Sequence, residues 1–332
     1  MKKQSILFIS ILLVTITLLP ALIVMPFEEN AEDLAMDGRI AQGAPSEISE
    51  GEETVITVYR DQLGTTEEVP LEDYVVSVVA AEIPADFEME ALKAQALAAR
   101  TYIVQKLQKK QGDQEYDVTD TVEHQVYKNF DELRDIWGVE FTRKFDRIQQ
   151  AVKETEGEII TYEDQPIQVA FFSTSNGFTE NAEDYWTNEI PYLKSVASPW
   201  DEQSPKFKEQ QVFSNQEVFN RLGIETSLEL RVENVVRTKS ERIDKLQLNG
   251  VEFSGREIRE KLGLRSNDFE IERKGDHVIF TTRGYGHGVG MSQYGANGMA
   301  SEGKNYEYIL KHYYQGVEIN SLEEFLTNKD KI

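Results

Sequence analysis

From Ile6 to Phe27 the chain runs for 22 residues without a charged side chain (ILFISILLVTITLLPALIVMPF). A helix needs roughly 20 such residues to cross the hydrocarbon core of a bilayer, so this run constrains the placement of everything after it. Lys2 and Lys3 precede it and Glu28-Glu29 follow. The positive-inside rule then leaves the N-terminus in the cytoplasm and the remainder outside. The rival reading is a cleaved signal peptide, which calls for a shorter apolar core and a small-x-small cleavage site. Met25-Pro26-Phe27 offers no such site. The expected organisation is a cytoplasmic stub (1–5), a transmembrane anchor (6–27), an acidic disordered linker (28–53) and an extracytoplasmic folded domain (54–332). The linker is punctuated by Gly43, Pro45 and Ser46 and is short of large apolar residues, the composition of a solvated spacer.

A formal net charge of −24 argues against nucleic acid, whose phosphates demand a basic footprint. Cysteine is absent, which removes disulfides, thiolate zinc sites and cysteine nucleophiles.

Beyond Val55 the patterns alternate. The segment Leu71 to Ile83 reads as a helix stopped by Pro84, and a second helix runs from about Phe87 to Lys109 with Asp86 as its N-cap. Strands follow at Glu158–Tyr162 and Ile167–Ser173, joined by the turn Glu163 to Pro166. The stretch from about 228 to 282 is strand-rich, with hairpin turns at Asn249-Gly250 and Lys274-Gly275-Asp276 around a short helix, Gly255 to Leu262. Helices return at Met291–Ala300 and Tyr306–Tyr314, with Gly316 as a stop. No repeat recurs at a fixed period. Strands and helices without a βαβ rhythm predict an α+β fold: a helical catalytic lobe, a strand-rich lobe around 228–282, and a cleft between them.

One carboxylate stands out. Leu71, Tyr74, Val75, Val78 and Val79 fall at i, i+3, i+4, i+7 and i+8, the apolar stripe of a helix, and Glu82 continues it at i+11. Desolvation and the negative end of the helix dipole would both raise its pKa. A carboxyl kept protonated near neutral pH suits general-acid cleavage of a glycosidic bond. Two other placements stay open: Glu82 facing solvent at a fraying helix end, or paired with a core arginine. Arg100 lies in the next helix within an alanine-rich run (Ala94, Ala96, Ala98, Ala99). It either reaches Glu82 or a substrate carboxylate, or snorkels at the surface.

The segment YVVSVVAAEIPADFEMEALKAQALAARTY (Tyr74 to Tyr102) resembles the signature of the stage II sporulation protein D family. HQVY (His124 to Tyr127), STSNGFTENAEDYW (Ser173 to Trp186) and GYGHGVGMSQYGANGMA (Gly284 to Ala300) match it in the same order. The resemblance implies a peptidoglycan lytic transglycosylase acting on denuded glycan strands during septal wall remodelling and forespore engulfment. It implies Glu82, in Glu82-Ile83-Pro84, as the catalytic acid, and Arg100 as part of the same site. It further implies a partner sporulation amidase, a membrane protein of the engulfment machinery, and a place in the mother-cell membrane at the sporulation septum. Some family members bind zinc through Cys and His near HQVY; without cysteine, no metal and no cofactor is expected here. The chain departs from the pattern at Ile83 (usually Met), Phe87 (commonly Trp), and Asn176 and Phe178 (often Gly and His), which leaves position 178 without an assigned role.

A single carboxylate suffices for that reaction. Ordinary glycosidases use two, whereas a transglycosylase closes the muramic acid C6 hydroxyl on its own ring and positions no external water. The other matched residues are expected to shape the groove. Ser173, Ser175 and Asn176 follow the apolar run Val169-Ala170-Phe171-Phe172 into a turn. There they either hydrogen-bond sugar hydroxyls or cap the turn locally. Tyr127 is grouped with them. The glycines from Gly284 to Gly295 lack the Lys-Ser/Thr and βαβ setting of a phosphate loop. They are read as letting backbone approach sugar, with His287, Ser292, Gln293 and Tyr294 lining the cleft. For His287 three roles stay open: substrate contact, partner of Glu82, or a satisfied core histidine. The alternative to an enzyme is a non-catalytic activator or scaffold for a cell-wall amidase.

Overall fold

The alternation Val55-Ile56-Thr57-Val58 becomes strand β1 (Val55–Arg60), which buries Ile56 and Val58 on one face. The computed structural model describes residues 54–323 and 325, apart from 111–114, 122, 187 and 226–228. The anchor expected at 6–27 and the linker at 28–53 lie outside the described residues. Among the described residues no helix is long and apolar enough to cross a membrane.

Strand β2 (Thr65–Pro70) returns antiparallel to β1 and leads into helix α1 (Leu71–Glu82). The predicted stripe of α1 is buried from Leu71 to Val79, as its spacing requires. Helix α2 (Met89–Lys109) starts two residues later than expected. Asp86 does not cap it, because its carboxylate accepts from Arg143 at 2.6 Å instead. The alanines of α2 explain its position: Ala91, Ala94, Ala96, Ala98 and Ala99 are all fully buried, so other elements pack against it closely from several sides.

Short strand β3 (Val118–Thr119) pairs parallel to β1. Helices α3 (Phe130–Trp137) and α4 (Phe141–Lys153) follow. Helix α3 opens on a capping box in which Asn129 and Glu132 satisfy each other's backbone N–H groups. Strand β4 (Glu158–Tyr162) turns through Glu163-Asp164, both at positive φ, into β5 (Gln165–Pro166). The strand expected over Ile167–Ser173 shrinks to β6 (Phe171–Phe172), and α5 (Ala182–Trp186) follows.

The strand-rich part is larger than the expected 228–282. Strand β7 (Lys208–Ser214) and helix α6 (Asn215–Leu222) open it. Strands β8 (Val232–Arg237), β9 (Ile243–Leu248) and β10 (Val251–Ser254) form one sheet, ordered β10-β9-β8. Helix α7 (Gly255–Leu262) leads to β11 (Phe269–Lys274) and β12 (His277–Arg283), and these form a second sheet, ordered β11-β12-β7. This lobe has its own apolar core, from Phe213 to Phe280, separate from the core built by α1 and α2. It also holds a duplication that a search for a fixed period misses. Phe213-Ser214 and Phe253-Ser254 each end a strand and start a helix with a capping box, and each helix stops at a left-handed glycine, Gly223 or Gly263.

The chain then returns to the first core. Strand β13 (Met291–Ser292) pairs parallel to β6, with Met291 opposite Phe171. Helices α8 (Gln293–Ser301) and α9 (Tyr306–Tyr313) pack on α2, and β14 (Glu318–Ser321) pairs with β4. The architecture is mixed α+β.

Candidate active site

Glu82 is the last residue of α1, and Ile83 breaks out into extended backbone. Three contacts fix it. The backbone N–H of Val126 donates to its Oε1 at 3.0 Å, the Gln293 side-chain amide donates to its carbonyl at 3.1 Å, and the buried valines below hold the helix. Burial pushes the carboxyl pKa up, and the Val126 bond offsets only part of that. No arginine or lysine is bonded to it among the described residues, so the core-arginine alternative does not hold.

The HQVY run is pinned residue by residue. His124 Nδ1 accepts from the Thr119 N–H at 3.1 Å, so the ring proton sits on Nε2. The Gln125 amide oxygen accepts from the Tyr74 hydroxyl at 3.2 Å. The Tyr127 ring stacks on Tyr74 at 5.8 Å, and its hydroxyl donates to Glu67. Between them Val126 is held with its N–H aimed at Glu82.

Glu82 opens into a cavity of about 950 Å³. Its walls carry Tyr102, Lys106 and Lys109 from α2, then Tyr116, His124, Phe171, Trp186 and His287. The wall draws nothing from the strand-rich lobe between β7 and β12, so the cavity is not a cleft between lobes. It forms where the end of α1 meets α2 and the returning C-terminal segment. The aromatic rings and lysines give it the apolar-plus-polar lining of a small-molecule site. Sequence reasoning passed over Tyr102, Lys106, Trp186 and His124 as individuals, although the spacing of Tyr102, Lys106 and Lys109 on one helical face was there to be read.

His287 is half-buried on the wall, yet neither nitrogen is free. Nδ1 accepts from the Val289 N–H at 3.1 Å, which puts the proton on Nε2, and that group donates to the Phe171 carbonyl at 3.0 Å. Burial, with Arg259 and Arg242 nearby, pushes its pKa down to about 4, so the ring is neutral. It packs against Phe172, Tyr185 and Trp186.

The remaining candidates lie elsewhere. Arg100 is fully buried and pairs with both oxygens of Glu72, at 2.8 and 2.6 Å, while donating to the carbonyls of Val152 and Glu158. It is a strut between helices and does not reach Glu82, because Glu72 lies almost the whole length of α1 away. Ser175 and Ser292 are buried and donate to Asp201, as does Ser198. Asn176 donates to the Ser240 carbonyl and to Asp268. The local-satisfaction reading of these polar groups therefore describes where they sit. Ser173 lies beside Thr174, Tyr127 is buried behind the wall, and Tyr294 sits edge-on to Phe87 at 4.9 Å. Gln293 touches Glu82 through backbone, as described. The glycines approach protein, not an open groove: a Cβ on Gly290 would lie 2.1 Å from the Ala170 carbonyl oxygen, and one on Gly288 would strike the buried guanidinium of Arg242.

Residues 59–162 match the family model described as Stage II sporulation protein. Over 335 residues, 98% of each chain, the sequence is 46% identical to Stage II sporulation protein D of Bacillus subtilis (strain 168). The chain belongs to the stage II sporulation protein D family. A second such family protein, from Bacillus amyloliquefaciens, is 45% identical over 338 residues and 98% of each chain. The Amidase enhancer of Bacillus subtilis (strain 168) is 26% identical over 307 residues, 74% of this chain and 40% of that protein. In this chain the family segment carries α1, α2, Glu82 and the HQVY run. His287 and Gln293, which complete the surroundings of Glu82, lie beyond it.

Proposed function

We propose that this sporulation protein is a lytic transglycosylase that cuts peptidoglycan glycan strands between N-acetylmuramic acid and N-acetylglucosamine, with Glu82 as its acid. The observation that carries this reading is the Glu82 carboxyl: raised in pKa by burial, held by one backbone donor, and exposed to a cavity with aromatic walls. Protonated, it gives its proton to the bridging oxygen as the bond to C1 of the muramic acid breaks. The resulting carboxylate takes the proton of the C6 hydroxyl while that oxygen closes on C1. The product is a 1,6-anhydro sugar, and Glu82 ends protonated as it began. A second carboxylate is not required by this reaction; of the two others that line the cavity, Glu115 and Asp117, the latter is engaged by the Thr57 N–H and Lys110. In this reading the chain is anchored by residues 6–27 with its catalytic domain outside the membrane at the sporulation septum. There it works beside an amidase and a membrane protein of the engulfment machinery.

The test is mass spectrometry of glycan strands incubated with the full-length chain, wild type beside Glu82→Gln. Anhydro-ended fragments from the wild type alone are expected. Reducing muramic acid ends would make it a hydrolase, and equal cutting by both proteins would remove Glu82 from the role.

A second reading, activation of a wall amidase without cutting, draws support from the similarity to the Amidase enhancer. It predicts that Glu82→Gln still stimulates a partner amidase while the wild type leaves strands intact.

A further inference from the structure

The strand-rich lobe supplies nothing to the lining of the cavity, yet its helix α7 grips a residue just behind that lining. The residue is Tyr185 in α5, held by two arginines one helical turn apart. Arg259 Nη1 donates to the Tyr185 hydroxyl at 3.1 Å, and the Arg256 guanidinium lies 5.0 Å over the Tyr185 ring, a cation–π distance. The Tyr185 ring in turn meets the Trp186 indole edge-on at 5.8 Å and the His287 ring at 5.8 Å, and those two rings lie 5.5 Å apart. Trp186 and His287 line the cavity, whereas Tyr185 does not.

Trp186 needs outside support. It ends a helix of five residues, Ala182–Trp186, far too short to hold itself together by its own hydrogen bonds. What fixes the indole is the packing of its neighbours, and Tyr185 is the neighbour that α7 controls. Arg259 is committed to that task. It is half-buried, and among the described residues it forms no ion pair, although Arg60, Arg100, Arg237 and Arg283 all reach carboxylates. Besides the Tyr185 hydroxyl it donates to the Arg265 carbonyl at 3.2 Å. A guanidinium kept from water without a counter-charge has a cost. In return its planar fork holds a phenol in one place, which a flexible ammonium does less well.

We infer that Arg259, with Arg256 beside it, is a positioning residue for the cavity: through Tyr185 it sets the Trp186–His287 wall, so the strand-rich lobe takes part in ligand binding without touching the ligand. Glu82 lies outside this grip, because its partners Val126 and Gln293 come from the HQVY run and α8. The effect therefore falls on binding and leaves the acid in place. Only the binding arm of the test rests on the glycan reading above; the placement of the wall does not.

The experiment uses the full-length chain. Arg259→Gln and Tyr185→Phe each break the bond between them, the second by removing one hydroxyl should the first fail to fold. Both should shift the fluorescence emission of Trp186, read as the difference that disappears when Trp186→Phe is added. Both should raise the KM for glycan strands, and weaken an N-acetylglucosamine oligomer, about tenfold, the scale of one lost hydrogen bond to a charged group. The value of kcat should barely move. Because the two changes break the same bond, the double variant should be no worse than either alone, and Arg259→Lys should recover part of the loss. Unchanged emission and affinity, with only a lower melting temperature, would overturn the inference and reduce α7 to a staple between lobes. Additive losses would overturn the route through Tyr185. If the unsubstituted chain neither cuts strands nor binds the oligomer, the glycan reading falls, and the Trp186 emission still decides the positioning role.

Discussion

The side-chain amide of Gln293 donates to the main-chain carbonyl of Glu82 across 211 positions of sequence. It joins the first residue of α8 to the last residue of α1, whose carbonyl has no partner inside its own helix. Gln293→Leu should leave that carbonyl unpaired and the carboxyl less well held. A loss of about 1–3 kcal/mol is the expected scale for an unmade buried bond. Glycan-cutting rates should fall by about tenfold or more, with a smaller change in KM than in kcat.

Glu82 itself should leave two signatures. As general acid its loss in Glu82→Gln should cost about 10²–10⁴ in rate, measured as initial anhydro-product formation. Its folded pKa is raised above the ordinary value of about 4.3. The folded chain therefore holds more protons than the unfolded chain between those two values, and stability falls as pH rises through that window. Glu82→Gln should melt above wild type in mildly alkaline buffer and level with it in acid. Equal melting temperatures at both ends would mean that the carboxyl carries no such strain.

His287 works in the opposite sense. Its pKa is pushed down to about 4, below the ordinary value of about 6.5. Its stabilisation is present above that ordinary value and is lost as pH falls toward 4. Melting curves between these limits should slope downward in acid, and His287→Gln should flatten the slope. An unchanged slope would assign the acid sensitivity to other groups.

Arg100→Ala should act on folding. It strands Glu72 and two carbonyls around a guanidinium with no solvent exposure, and breaking a buried pair costs about 3–5 kcal/mol. Chemical denaturation should show that loss, while Arg100→Lys should recover only part of it because one ammonium cannot bridge both Glu72 oxygens. A variant of native stability but without activity would return Arg100 to the site.

Helix periodicity made α1 and the inward course of Glu82 legible through the stripe from Leu71 to Val79, but not the burial of the helix's other faces at Val76, Ser77 and Ala80. Turn chemistry likewise located Asn249-Gly250, where both residues take positive φ. The polar residues after β6 were harder. Ser175 and Ser292 look alike as sugar ligands or as partners of a buried carboxylate, and Asp201, which decides it, lies 26 and 91 positions away. Trp137 and Pro84 become neighbours only through α3 and α4, whose placement no local pattern in the sequence specifies.

The parallel pairing of β6 with β13 joins Phe171 to Met291 and carries His287 and Gln293 into place beside Glu82. Such a distant pairing is slow to form and comes after local helices are made. During synthesis the acid is therefore made early and its surroundings last. A chain still on the ribosome, or one cut short before β13, holds Glu82 on a helix end that nothing from the C-terminus supports. Whatever role of Glu82 depends on that support begins only when the whole chain has been delivered.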